Sequence, residues 1–277
     1  MGLVACLGAG GAIGGGAAPF NPANYGTVAV WLDCSDSTYC LDSGGNAAAP
    51  DEAVQTLTDR SGNSRSGLQA TGARQGLWRA SVKNSLGAMD LTQSSSNWYQ
   101  LQNSLGLVRN VSGMTFAYVL SPDDISQFFC TIAAFTENSS WDPRVRIRLI
   151  DQNGTDYRFS FSGVRSDSDS LTTVTPAVDF AKNNWHILVV VVDYANALLS
   201  MYVDGTAIYS PTAFLTAGST DNTDSQIGPP LCIQDPGLNF AYDGYLGECI
   251  IYQSALDATN RGNLTTALGT KWDITVA

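Results

Sequence analysis

The chain has one histidine, His186, and no CxxC pair among its six cysteines. That excludes a Cys/His zinc site, which needs thiolates and imidazoles in clusters. Charge is scarce, at 14 % of residues against an average of about 25 %. Basic residues are the scarcer kind: 14 Lys and Arg stand against 25 Asp and Glu, for a net charge of −11. Such a surface repels phosphate backbones and anionic lipid, and no basic cluster offsets it. Neither nucleic acid nor a membrane surface is therefore an expected partner. No apolar run reaches about 18 residues without a glycine, so no transmembrane helix is expected. Leu3-Val-Ala-Cys6 lacks the basic and apolar stretches of a lipoprotein signal, and Cys6 stands where N-myristoylation wants Ser or Thr.

Gly, Ser, Thr and Asn take the place of the missing charge, as expected for many short strands joined by polar turns. Hydrophobic residues reach 44 % of 277 positions, enough for a core without staples, and all-β units of roughly 200–250 residues are ordinary. Residues 1–26 form a Gly/Ala-rich arm, and 27–277 read as one sandwich. Strands are expected at Thr27–Trp31, Thr115–Leu120, Phe128–Ile132, Arg144–Ile150, Tyr157–Phe161, Trp185–Asp193, Leu198–Val203 and Tyr245–Tyr252. The unbroken run Ile187–Val192 predicts burial on both faces. Arg144, Arg146 and Arg148 alternate along one solvated strand face. Asp204-Gly205 is a tight-turn signal, and Asp257 is placed to cap a helix over Asp257–Leu268. Cys34 and Cys40 are near enough to bridge a small loop, while Cys249 reads as a buried thiol.

Three segments together carry a resemblance. Trp31-Leu-Asp-Cys-Ser-Asp36 is followed by Asp59-Arg-Ser-Gly-Asn63. Trp185-His-Ile-Leu-Val-Val-Val-Val-Asp193 precedes Met201-Tyr-Val-Asp-Gly205. Asp243-Gly-Tyr-Leu-Gly-Glu248, Ile250-Ile-Tyr252, Leu256 and Lys271-Trp272 close the chain. In order and spacing they resemble the concanavalin A-like, laminin G-like jelly rolls of phage virion proteins and bacterial surface proteins. The resemblance covers about residues 27–274 and implies an all-β concanavalin A-like sandwich with a short C-terminal helix. Trp185 and Trp272 are expected to plug its edges.

Catalytic sets come up short. Glucanases of this sandwich carry alternating Glu, Asp and Glu on one strand, and paired carboxylates must face one cleft. Here Glu248 stands beside Cys249, Ile250 and Ile251, so it reads as a structural acceptor for turn amides. His186 opens a strand and has no Gly-x-Ser-x-Gly elbow to serve. The glycines of Gly8–Gly16 lack the strand and the Lys-Ser/Thr of a phosphate loop. For calcium, Asp167, Asp169, Asp221 and Asp224 offer hard oxygens on loops, though acidic loops are usually solvated turns and neither pair has the spacing of an EF-hand loop. For glycans, Trp98-Tyr99, Trp141-Asp142 and Tyr242-Asp243 place aromatic rings beside hydrogen-bonding groups; core or interface positions would look the same.

The expectation that follows is a non-enzymatic phage virion protein, whether fibre, spike or capsid decoration. Its arm, residues 1–26, would dock to other virion proteins, its sandwich would meet a host-surface glycan, and closed symmetry would make it a homo-oligomer. The alternative is a carbohydrate-binding or adhesion module of a bacterial surface protein.

Overall fold

A computed structural model describes residues 19–95, 97–104, 106–123, 129–135, 145–152, 154–166, 169–220 and 242–277. Its long strands, in chain order, are β1 (Val28–Asp33), β2 (Leu77–Lys83), β3 (Leu86–Leu91), β4 (Met114–Pro122), β5 (Phe129–Phe135) and β6 (Val145–Gln152). They continue with β7 (Asp156–Gly163), β8 (His186–Asp193), β9 (Leu198–Val203), β10 (Thr206–Ala213) and β11 (Gly244–Tyr252), before the helix α1 (Ala258–Trp272).

Three layers result. The large sheet runs from the short strand Glu52–Ala53 through β2, β3, β11, β4, β8, β9 and β10, with β1 paired to β11. A second sheet holds β5, β6 and β7, and Thr172–Val174 and Asp179–Ala181 both pair with β7. Between the sheets lie Phe116 and Tyr118 of β4, Val190 of β8, Phe135 of β5 and Phe159 and Phe161 of β7. On the other face of the large sheet, Val119, Ile187, Val189 and Ile250 pack under Leu264, Leu268 and Trp272 of α1. The run Ile187–Val192 lacks polar alternation because β8 has a core on each side. The helix is thus a full outer layer, longer than expected. Asp257 caps it as predicted, its Oδ1 accepting from the Asn260 amide at 2.8 Å.

Strand β11 shares one edge between two partners. Its residues Gly244–Leu246 pair with β3, and Glu248–Tyr252 pair with β1. The register slips between Leu246 and Glu248 where β11 meets β4. Gly247 sits at the slip, and a β-carbon there would come within 2.6 Å of the Trp272 ring. Glycine is what lets the indole lie flat on the strand. Trp272 in turn stacks on Trp185 at 5.2 Å between ring centres, so both tryptophans are packed where the sequence placed them.

The tight turn after β9 also holds, with φ of 50° at Asp204 and 84° at Gly205, the pair of positive angles that a two-residue hairpin turn requires. His186, just inside β8, places its ring nitrogens 2.7 Å from the Asp204 carboxylate and 3.1 Å from the Ala181 carbonyl. Arg146 and Arg148 occupy alternate half-buried positions on β6, a more covered face than a solvated one, and Arg144 lies outside the described residues. No disulfide joins Cys34 to Cys40. Both are buried thiols, as are Cys130 and Cys249, while Cys6 and Cys232 lie outside the described residues. Among the described residues no helix is long and apolar enough to cross a membrane.

Candidate functional site

Where the outer layer meets the β1 end of the large sheet, a cleft of about 960 Å³ opens. Its walls are the segment Pro19–Tyr25, the loop after β1, the β2–β3 turn and the last turn of α1. Each wall is fixed locally. Asn21 caps a short 3₁₀ turn, Pro22–Asn24, and Asp36 caps another, Ser37–Tyr39, by accepting from the Thr38 amide at 2.9 Å. Tyr252 donates its hydroxyl to the Pro22 carbonyl at 3.0 Å, which ties the first wall to β11. Phe20 then meets the edge of Trp31, with ring centres 6.0 Å apart. The described end of the arm, residues 19–26, is therefore packed on the sandwich; residues 1–18 lie outside the described residues.

Arg60 lines the cleft. Asp59 positions it: its Oδ1 accepts from the amides of Trp31 and Ser61, and its Oδ2 accepts from the Arg65 amide at 2.8 Å. The Arg60 amide itself donates to the Trp31 carbonyl at 2.8 Å. This loop lays the guanidinium between two rings, 3.9 Å from the centre of Trp31 and 4.0 Å from that of Tyr39. A planar cation between two aromatic faces is held in place with little freedom left to lose on binding.

Beneath the cleft lies a buried charge network. Asp33 closes β1 directly opposite Glu248 on β11. The Lys271 ammonium donates to both, at 3.0 Å to Asp33 Oδ1 and 3.0 Å to Glu248 Oε2. Arg60 adds an ion pair to Asp33 Oδ2. Glu248 also receives two indole N–H groups, from Trp31 at 2.7 Å and Trp272 at 3.0 Å. Burial pushes the Glu248 carboxyl up to about 7; the neighbouring Asp33 adds to the rise, while Lys271 and Trp272 oppose it. Glu248 is thus a structural acceptor as expected, but for two indoles and a lysine rather than for turn amides.

The residues singled out from sequence lie elsewhere. Tyr99 is fully buried, donating its hydroxyl to the Val54 carbonyl at 2.7 Å and accepting from the Gly76 amide at 3.0 Å. Tyr242 is also buried, its hydroxyl 3.0 Å from the Tyr245 carbonyl. Burial raises the phenols of both. Neither ring offers a sugar a face, because each fills the core. Trp98 is half-buried against the same core, and the Asp243 carbonyl accepts from the Asp123 amide. Trp141 and Asp142 lie outside the described residues, as do Asp167, Asp221 and Asp224. Asp169 closes its own loop by accepting from the Ser166 amide at 3.0 Å. Among the described residues no group of three or more His, Cys, Asp or Glu is placed to hold a metal ion.

The cleft was not foreseen, yet its parts were in view. Trp31, Asp33, Arg60, Glu248, Lys271 and Trp272 all belong to the opening and closing segments that carried the resemblance. Their convergence required knowing that β1 pairs with β11 and that α1 folds back over both.

The family is settled by sequence. The profile of the concanavalin A-like lectin/glucanases superfamily matches residues 92–260, so the chain belongs to that superfamily. No curated protein matches it. Among solved structures it resembles the Trypanosoma rangeli sialidase in complex with a difluoro-KDN compound, with a TM-score of 0.51 at 10 % identity. That match covers 91 % of this chain and 34 % of the sialidase chain. It also resembles domain 4 of AbnA, an extracellular arabinanase from Geobacillus stearothermophilus, in complex with arabinotriose. Here the TM-score is 0.49 at 18 % identity, covering 76 % of this chain and 92 % of that one. At 10 % identity the likeness to the sialidase is one of fold.

Proposed function

We propose that the chain is a carbohydrate-binding module whose binding site is the cleft around Arg60. The observation that carries this reading is the pairing of rings with hydrogen-bonding groups in one preformed pocket. Phe20, Tyr25 and Tyr39 are half-buried rings on its walls, beside Asn21, Asn24, Asp36 and several serines. Sugars present apolar C–H faces and a rim of hydroxyls, which such a lining matches. Membership of a lectin and glucanase superfamily agrees with it.

Binding is favoured over hydrolysis by the state of the carboxylates. A glycosidase needs two carboxyl groups open to the scissile bond. The side chains of Asp33 and Glu248 are only 2 % and 1 % exposed, and both are committed to Lys271. A glycan array followed by calorimetry on its best ligand tests the reading. Wild type should bind, and Tyr39→Ala should lose about tenfold or more in affinity while its melting temperature stays within a few degrees. Hydrolysis of the bound glycan, or no binding at all, would overturn it.

A phage virion setting is the finer version of this reading. It rests on the resemblance and on the Gly/Ala-rich composition of the arm that precedes Pro19 in sequence. In that setting the arm docks the module to the particle, and copies associate. Removing residues 1–18 should then turn an oligomer into a folded monomer in solution-mass measurements. Identical monomers with and without the arm would argue for a free-standing module of a bacterial surface protein.

A further inference from the structure

The charges around the cleft are layered. The two carboxylates that neutralise it, Asp33 and Glu248, are buried, whereas Arg60 and Lys271 are 26 % and 16 % exposed at their side chains. What faces a ligand is therefore cationic, although the chain as a whole carries −11. Among the described residues, the one side-chain acceptor on the Arg60 guanidinium is Asp33, through Nη1. The Nε and Nη2 donors of a group already clamped between Trp31 and Tyr39 are left to the cleft. Lys271 spends two donors on the carboxylates below and lies 5.3 Å from the Phe20 ring above. Asp36 is the one carboxylate exposed on the lining, and its Oδ1 is already taken by Thr38.

We infer that the cleft selects anionic saccharides, whose carboxylate or sulfate oxygens accept from Arg60 while the ring lies against Tyr39 or Phe20. The inference rests on the cleft being the glycan site and names the ligand class. A planar guanidinium fork matches a carboxylate in a bidentate pair, so sugars bearing a carboxylate should bind best. A preordered arginine avoids the entropy that a free side chain would lose, which is the use of the two flanking rings.

The test is an array carrying neutral, carboxylated and sulfated glycans, read for wild type, Arg60→Gln and Asp36→Asn. Carboxylated members should give the strongest signals, and sulfated ones should show whether any oxyanion suffices. Affinity for the best acidic ligand should drop several-fold between about 50 and 300 mM salt and about tenfold or more in Arg60→Gln. Asp36→Asn keeps a capping side chain and removes a negative charge from the rim. It should strengthen acidic ligands a few-fold relative to neutral ones, which keeps the test open if Arg60→Gln melts early. Neutral glycans bound at the cleft without salt dependence would overturn the inference and leave the binding module standing. Acidic glycans indifferent to both substitutions would also overturn it. No glycan bound by any form would remove both.

Discussion

Asp33 and Glu248 face each other across neighbouring strands and share one ammonium, with Lys271 Nζ 3.0 Å from an oxygen of each. Two carboxylates this close, out of water, are tolerable only with the cation between them. Removing one partner of a buried ion pair leaves an uncompensated charge and costs roughly 3–5 kcal/mol. Lys271→Met should destabilise by about that amount in urea titrations. The double variant Lys271→Met/Glu248→Leu should recover part of the loss. Additive losses in the double variant would mean that the pair is not coupled.

The same network sets a pH dependence. The Glu248 carboxyl is raised from 4.5 to about 7, by burial first and by Asp33 second. Below 4.5 folded and unfolded chains both hold this proton; between 4.5 and about 7 only the folded chain does. The folded state therefore binds more protons in that window, and stability falls as pH rises through it. The contribution is on the order of 3 kcal/mol across the window. Unfolding curves from pH 4 to 8 for wild type and Glu248→Gln isolate the term by difference. The wild-type decline should be the steeper, and parallel profiles would contradict it.

Much of the fold was legible because it depends on local pattern. The β8 run, the Asp204-Gly205 turn and the Asp257 cap are each a short-range signal with one structural meaning. The β2–β3 hairpin was not legible. Its turn uses Asn84 and Ser85, both with positive φ and neither a glycine, and its register shifts between Arg79 and Lys83. Tyr99 and Tyr242 looked like sugar platforms because polar neighbours flank them in sequence, yet both rings fill the core, and Asn97 is buried along with Tyr99. The cleft residues were the hardest to see, since Asp33 and Glu248 are 215 positions apart and only strand pairing brings them together.

Gly247 offers a packing prediction. Its missing β-carbon makes room for the Trp272 ring, which a methyl group would approach to 2.6 Å. Gly247→Ala should cost about 1–3 kcal/mol by forcing the indole off the strand. It should also weaken the 3.0 Å bond from Trp272 to Glu248, visible as a shifted indole N–H signal in NMR. An unchanged melting temperature and an unchanged signal would show that the ring can move aside freely.

Asp204 links the turn to the start of β8. Its carboxylate accepts from the Ile187 amide at 2.7 Å and lies 2.7 Å from the His186 ring. Asp204→Ala removes both contacts and leaves a residue without polar side chain at positive φ. A loss of about 1–3 kcal/mol is expected, together with faster amide exchange at Ile187. Wild-type protection at that amide would contradict the role.

Occupation of the cleft around Arg60 by a saccharide can be followed directly. The most direct measurement is a titration of the 15N-labelled protein with the strongest glycan-array ligand, following the indole N–H signals. Those of Trp78, on the cleft wall, and Trp31, under the Arg60 guanidinium, should move and saturate, and Tyr39→Ala should need about tenfold or more ligand for the same movement. Shifts confined to Trp98 or Trp185, or a Tyr39→Ala protein that binds like wild type, would place the glycan elsewhere and contradict the account.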